Sequence, residues 1–398
     1  MNHMLFDPVS YERVRRPAME AESLPPGCYT DPDFFAAEQE RVFRKGWVFV
    51  GHADRIAAPG DYMTDEVGGA PLILARGRDG VVRAFANSCR HRGCRVVTGE
   101  GNSRAFQCRY HGWTYGLDGA LKGAPQMDYT AGFDKAAYGL HPVRLESWGR
   151  LLFVALDPET PALDAWMGPL WDMLAPYDFG DMVLARQRSI DLPCNWKVYL
   201  ENLMEPYHTP TIHAGGMADK NEDPAAAAMS GNATTEFGGG GADAPVQLEY
   251  GDNFGALVAR HTGSRGLLPG REPFPPIPGL DARTRDGSIW AWIYPALAMS
   301  CQREAMWFNR IVPTGPDSCT LVIGSCFPSA TVARPDFAER VEHYYERLDR
   351  TADEDVGIVG EQQRGLSSPL ARAGPVCHLE KICHHHRNWV ADRVVGGN

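Results

Sequence analysis

The chain has 398 residues, enough for two domains with sizeable cores, and 44% hydrophobic with 22% charged residues is the composition of an ordinary soluble globular protein. Fifty acidic against 39 basic side chains leave a formal charge of −11, which argues against nucleic acid as a partner. No apolar run approaches the roughly 18 residues of a membrane span, the N-terminal MNHMLFDPVSYERVRR lacks a signal-peptide core, and eight of the ten cysteines, all but Cys89 and Cys108, are scattered like reduced thiols of a cytoplasmic protein.

In chain order, DPDFFAAEQERVFRK (31–45) reads as a helix with Asp31 as its N-cap and Phe35, Val42 and Phe43 on one side. WVFVGHADRI follows as a strand, and Pro59-Gly60 as a turn. The next strands are separated by Gly-rich turns, with hairpin signals at Asp79-Gly80 and Asp118-Gly119, and LHPVRLESWGRLLFVALDP supplies two closing strands. Residues 46–158 therefore form a small antiparallel β domain, preceded by a helical segment over 1–45.

Within that domain Cys89 and His91 are separated by one residue, and Cys108 and His111, sixteen residues further on, by two. Two thiolates and two imidazoles on paired loops can hold a metal centre, and a zinc knuckle is one alternative. The C-x-H…C-x-x-H spacing instead fits a Rieske [2Fe–2S] cluster, in which two cysteines ligate one iron and two histidines the other. Gly93, Gly99, Gly101 and Gly112 give the loops the freedom for tight turns, and the aromatic run Trp113 to Tyr115 follows.

A Pro-rich, aromatic linker passes into helix and then NWKVYLENLMEPYHTPTIH (195–213). Trp196, Tyr199/Leu200 and Leu203 mark a buried helical face, while Pro206 and Pro210 place His208 and His213, five apart, on irregular backbone. Residues 214–286 are rich in small residues and glycine over most of their length and read as an insertion, either a lid over the site or a plain surface insertion. SIWAWIYP, ALAMSCQ, AMWFNRIVP and CTLVIGSCFP read as antiparallel strands. A helix with Asp336 near its start carries the stripe Val341, Tyr344/Tyr345, Leu348, and His384 to His386 are structural because consecutive helical residues diverge.

On these motifs the chain resembles the Rieske non-heme iron oxygenases, the terminal (α) components of ring-hydroxylating and related oxygenases, over nearly its whole length. Carriers of the cytochrome bc type resemble a version with an extra cysteine in each loop; here Cys94 has no counterpart in Arg109 to Trp113. The resemblance implies an α+β fold, an N-terminal Rieske domain followed by a helix-grip catalytic domain over 159–398. It implies that Cys89, His91, Cys108 and His111 hold the cluster. His208 and His213 match N-W-K-x(3)-E-N-x(2)-[D/E]-x-Y-H-x(4)-H and would ligate a mononuclear Fe(II). The third ligand of a two-His-one-carboxylate triad falls in E-D-x-x-I-x(4)-Q-x-G-L, which places it at Asp355, with Asp353 and Glu354 as competitors and Gly360 as a departure from the family's usual Glu.

The resemblance further implies O2 as co-substrate, electrons from NAD(P)H through a reductase and possibly a ferredoxin, and a head-to-tail homotrimer. In it Glu205 would join His208 to a neighbour's His111, and Asn202 would lie near the iron. Glutamate at 205, where ring dihydroxylating members mostly have Asp, looks like the branch oxidising quaternary ammonium compounds; Pro206, where that branch usually has Cys, departs from it. The expected reaction is hydroxylation of an aromatic ring or oxidation of a quaternary ammonium or N-methyl compound. A Rieske electron-transfer protein without oxygenase activity is the alternative, which His208, His213 and Asp355 oppose. Trp290, Trp292, Tyr294, Trp307 and Phe308 are candidates for a pocket wall.

Overall fold

The computed structural model describes residues 3–213, 246–260, 264–268, 270–285 and 287–396. It divides into two compact units, Gln39–Leu163 and a second built from Met1–Glu38 with Asp164–Asn398.

The unit Gln39–Leu163 contains β1 (Trp47–His52), β2 (Asp61–Val67), β3 (Ala70–Arg76), β4 (Val82–Ala86), β5 (Glu100–Asn102), β6 (Phe106–Gln107), β7 (Thr114–Tyr115), β8 (Leu121–Gly123), β9 (Pro142–Trp148) and β10 (Leu151–Ala155). Seven of them form an antiparallel sheet in the order β1-β10-β9-β4-β3-β2-β5, and β6-β7-β8 form a second, smaller one. The hairpins at Asp79-Gly80 and Asp118-Gly119 join β3 to β4 and β7 to β8. In each, the Asp carboxylate accepts from the backbone two residues on, at Val81 or Ala120. Phe85, Phe106, Trp113 and Tyr115 share one core with Cys89 and Cys108.

The second unit is organised by a seven-stranded antiparallel sheet, β11-β17-β16-β15-β14-β13-β12. These strands are β11 (Met182–Leu192), β12 (Val246–Gly251), β13 (Phe254–Arg260), β14 (Gly287–Ile293), β15 (Leu297–Cys301), β16 (Met306–Gly315) and β17 (Ser318–Pro328). The helices that matter for the site are α1 (Pro32–Glu38), α2 (Trp196–Met204), α3 (Thr209–Ile212), α4 (Phe337–Leu366) and α5 (Lys381–Val394). Helix α2 packs on β15, β16, β17 and α4, and α5 packs on β13.

Three strands are absent from the sequence-based expectation. Edge strand β11 has no apolar alternation; Arg186 and Arg188 occupy alternate positions and pair with Asp349 and Asp353 of α4. Its period of two is therefore written in arginines, with Arg186 lying 4.0 Å over the Tyr345 ring. Strands β12 and β13 pair as a hairpin inside the stretch assigned to the lid, where the small-residue composition masks the alternation in VQLEYG. Within the same stretch, 264–268 and 270–285 are described and Arg265 lines a cavity of this unit, whereas 214–245 lie outside the described residues.

The helix at 31–45 is α1 followed by a π-helical turn over Gln39–Phe43. Asp31 caps it by accepting from the backbone of Asp33 and Phe34. Phe34, rather than Phe35, enters the core. The three consecutive histidines of α5 do diverge. His384 Nε2 meets the carbonyls of Val14 and Arg16, His385 Nδ1 meets the Tyr294 hydroxyl, and His386 is packed between Trp196 and Trp389.

The conspicuous N-W-K segment anchors α2. Asn195 caps the helix by accepting from Lys197 N, and its own N–H donates to Gln363 of α4. Trp196 Nε1 and Lys197 Nζ both donate to Glu38 of α1, at 3.0 and 2.6 Å, in a fully buried pair. Lys197→Met strands the Glu38 carboxylate in the core and is expected to cost about 3–5 kcal/mol in denaturant unfolding; a loss below about 1 kcal/mol would contradict this account of the anchor.

Candidate functional site

Each cysteine–histidine loop closes on itself in the same way. Cys89 N donates to Cys94 O and Gly93 N to Cys89 O; Cys108 N donates to Trp113 O and Gly112 N to Cys108 O. Gly93 and Gly112 both have φ of +74°, a backbone state that other residues rarely adopt. The thiols of Cys89 and Cys108 are buried, whereas His91 and His111 are exposed, their Nδ1 atoms 3.0 Å apart. His91 stacks on Trp113 at 5.1 Å and His111 on Tyr110 at 3.8 Å, which fixes both rings. Burial holds the Tyr115 phenol well above its usual pKa. It therefore stays an O–H donor, 3.2 Å from Cys89 Sγ. The loops thus present two sulfurs from inside and two imidazole nitrogens from outside, the donor set and polarity a Rieske cluster requires.

The second cluster of donors lies on the other unit. Helix α2 ends at Glu205, the chain turns through Pro206, and the single turn α3 sets His208 and His213 side by side. His208 Nδ1 lies 2.7 Å from Glu205 Oε1, and His208 N donates to Glu205 Oε2. His213 Nδ1 lies 2.8 Å from Glu354 Oε2. A carboxylate on Nδ1 makes that nitrogen the donor and leaves Nε2 with its lone pair. The two Nε2 atoms are 3.2 Å apart, and Asp355 Oδ1 lies 3.7 Å from that of His208 and 3.2 Å from that of His213. Asp355 is buried, and Oδ1 has no hydrogen-bond partner. Three potential ligand atoms thus converge, an arrangement that suits a cation. Among the described residues these three side chains are the group whose ligand atoms all fall within 4.8 Å of one another.

The two carboxylates before Asp355 have other partners. Asp353 is exposed and bound to Arg188, and Glu354 holds His213 from behind. That role of Glu354 is absent from the sequence-based expectation. Asp355 lies on the buried stripe of α4, with Val341, Tyr344, Leu348, Ala352 and Val359.

The converging atoms open on a cavity of about 150 Å³. One wall is α2 and α4; the other is the sheet, where two cross-strand rows face inward. Leu257, Trp290, Ser300 and Trp307 pair across β13 to β16, and Trp292, Ala298, Asn309 and Ile323 across β14 to β17. Of the five candidate wall aromatics, Trp290, Trp292 and Trp307 line the cavity. Phe308, one residue out of phase, packs over Gly324, and Tyr294 is buried against α5. Asn202 also lines the cavity, with Nδ2 buried and without a partner. Glu201, its neighbour, turns away and binds Arg387 and the Tyr29 hydroxyl.

Comparison with known proteins decides the family. Residues 46–134 match the Rieske [2Fe-2S] domain, and residues 179–396 match the ring hydroxylating alpha subunit (catalytic domain). The chain belongs to the Rieske oxygenase alpha subunits. This Rieske oxygenase is 32% identical over 380 residues to the glycine betaine monooxygenase oxygenase subunit of Chromohalobacter salexigens, covering 89% of this chain and 81% of that one. It is 28% identical over 381 residues to the chloroplastic choline monooxygenase of Spinacia oleracea, covering 94% and 79%. A solved quaternary ammonium Rieske monooxygenase in complex with L-carnitine shares the fold, with a TM-score of 0.73, 23% identity and coverage of 96% and 97%. Naphthalene 1,2-dioxygenase with indole bound shares it too, at a TM-score of 0.77 and 21% identity. The protein is thus a terminal oxygenase component, an oxidoreductase with a Rieske cluster and a mononuclear iron that uses O2 on a small organic substrate and draws its electrons from a redox partner. No helix among the described residues is long and apolar enough to cross a membrane.

Proposed function

We propose that the substrate is a quaternary ammonium or N-methyl compound, oxidised at a mononuclear iron held by His208, His213 and Asp355. The observation that carries this reading is the convergence of those three ligand atoms on a cavity walled by Trp290, Trp292 and Trp307. Indole faces attract a desolvated trimethylammonium group by cation–π interaction, and relatives named for glycine betaine and choline lend support. A facially held iron supplies open positions for O2 and substrate oxidation. Glu205 and Glu354 keep His208 and His213 in the Nδ1–H tautomer and fix the rings. Asn202 Nδ2 is placed to donate to a water or to the substrate. The apolar walls keep bulk water from the reacting groups.

Cys89, His91, Cys108 and His111 hold the cluster in this reading, with the exposed imidazoles as the electron's exit. The active form is a head-to-tail homotrimer in which Glu205 joins His208 to the neighbour's His111. Electrons come from NAD(P)H through a partner reductase, with or without a ferredoxin, in the cytoplasm. Cys89→Ser or His111→Ala should abolish the [2Fe–2S] absorption and electron uptake while leaving the mononuclear site able to bind iron; an intact Rieske EPR signal in either variant would refute the assignment.

The substrate class is tested by O2 consumption, corrected for peroxide release, with a generic reductase. Choline, glycine betaine and carnitine form one panel and aromatic acids the other. Coupled turnover in the methylated panel is the expected result, and coupled turnover with aromatic acids alone would overturn it.

A further inference from the structure

Behind the Trp307 wall of the cavity lies a buried carboxylate. Trp307 lines the cavity and belongs to the same core cluster as Tyr344 of α4. Gly266 lies against both rings: a Cβ there would come within 3.0 Å of Trp307 Cη2 and of Tyr344 Cδ1. Those two ring atoms are therefore no more than 6.0 Å apart. The Tyr344 oxygen accepts from Phe274 N at 2.9 Å, and its hydroxyl donates to Glu304 Oε1 at 3.4 Å. Ser264 Oγ donates to the same carboxylate oxygen.

Glu304 is fully buried, its Oε2 has no hydrogen-bond partner, and among the described residues it forms no ion pair. A packed core does not need such a group. An unpaired carboxylate is costly there, and apolar side chains would fill the space more stably. A buried polar atom left unsatisfied in this way calls for a role. Burial raises the Glu304 carboxyl, against the Ser264 and Tyr344 hydroxyls and the charge of Arg303, which lower it. Its ionised form is thus a stronger base than an exposed carboxylate. Burial, and then the charge of Glu304, hold the Tyr344 phenol above its usual range, so the phenol keeps its proton at rest.

Indole and phenol rings yield single electrons readily, and tunnelling between rings this close is fast. An oxidised phenol is a strong acid, so a buried tyrosine gives up an electron only where a base beside it takes the proton. We propose that Trp307, Tyr344 and Glu304 form a one-electron sink for the cavity, which discharges the oxidant formed at the iron when no substrate is in place. That oxidant, made from O2 and the electrons of the redox partner, takes one electron from Trp307. Tyr344 refills Trp307, and the Tyr344 proton passes to Glu304 Oε1. The products are a neutral tyrosyl radical, a protonated Glu304 and an oxidant reduced by one electron, so protons and charge balance. A radical held at Tyr344 spares the other wall residues and the iron ligands. The sink rests on iron at the site proposed above and not on the substrate class.

The test is freeze-quench EPR on the reduced holoenzyme mixed with O2 without substrate, with iron counted in the same samples. A tyrosyl radical is expected, its signal narrowed in protein grown on ring-deuterated tyrosine and unchanged with ring-deuterated tryptophan. Tyr344→Phe and Glu304→Gln should each lose the signal, and Trp307→Phe should lose most of it. Reduction of the cluster by its partner should stay as in the wild type. After repeated turnover without substrate, peptide mass spectrometry should find more oxygen added to Trp290, Trp292 and His208 in Tyr344→Phe than in the wild type. Iron-loaded wild-type protein with no such radical, or a signal that survives in Tyr344→Phe or Glu304→Gln, overturns the sink. A signal narrowed by deuterated tryptophan instead overturns it in the wild type, whatever the folding of the variants. Protein that loads only the two cluster irons would overturn the iron reading itself, a failure that the iron count separates from this one.

Discussion

Asp355→Ala is expected to give protein whose [2Fe–2S] cluster is still reduced by its partner but which forms no detectable product and has lost its mononuclear iron. The carboxylate oxygen lies 3.2 Å from His213 Nε2 and is the one anion at the convergence, so its removal leaves two neutral imidazoles to hold a divalent ion. His208→Ala and His213→Ala should behave alike. Iron quantification, giving two rather than three irons per chain in loaded protein, is the measurement. Glu354→Gln separates the ligand from its support. It removes the charge behind His213 Nδ1 and should weaken iron affinity or activity by about 10- to 100-fold without abolishing either. Asp353→Ala, which loses an exposed pair with Arg188, should leave turnover unchanged. If Asp355→Ala keeps its iron and activity while Asp353→Ala or Glu354→Ala does not, the third ligand is misplaced by one or two residues.

Glu205→Gln should lower product formation by orders of magnitude while both metal centres stay loaded and the cluster remains reducible. Within one chain Glu205 accepts from His208 Nδ1 through one oxygen and from His208 N through the other. Glutamine preserves the size and one acceptor, but turns its amide N–H₂ towards a second donor and removes the charge that favours donor imidazoles. Weaker iron binding, by about 10- to 100-fold, is offset by excess Fe(II), so the defect that remains is the one the proposed bridge between subunits predicts. Rapid-mixing reduction of the cluster, followed by single-turnover product analysis, isolates it. Normal turnover in Glu205→Gln removes the bridging role. Glu205→Asp keeps the charge and shortens the reach; near-normal turnover there would mean that the gap suits either carboxylate, and position 205 would then say nothing about the substrate branch.

Much of this protein could be read from its sequence because its chemistry is local. Cys89 with His91, and Cys108 with His111, lie in loops whose closing hydrogen bonds span four or five residues, so spacing alone implies a cluster. His208 and His213 are five apart across one broken helical turn. Asp355 comes from the resemblance to the family's E-D-x-x-I-x(4)-Q-x-G-L segment, and the structure buries it on the same stripe of α4 as Tyr344, Leu348, Ala352 and Val359. The twofold period likewise puts Trp290 in phase with Trp292 and Trp307 out of phase with Phe308.

What remained hidden depends on register between distant segments. Glu354 reaches His213 across 141 residues, and nothing in either segment alone says that its carboxylate backs an imidazole rather than facing solvent. Strand β11 is a strand because its arginines find the acids of α4, a pattern that looks polar until the helix is in place. Arg265 and Arg347, ordinary cations in the sequence, both line the cavity, a placement that depends on the packing of α4 and of the segment 264–268 around the sheet. Spacing within a turn or a helix is set by backbone geometry and is written in the chain, whereas the pairing of side chains from separate elements is set by packing, and only the folded structure decides it.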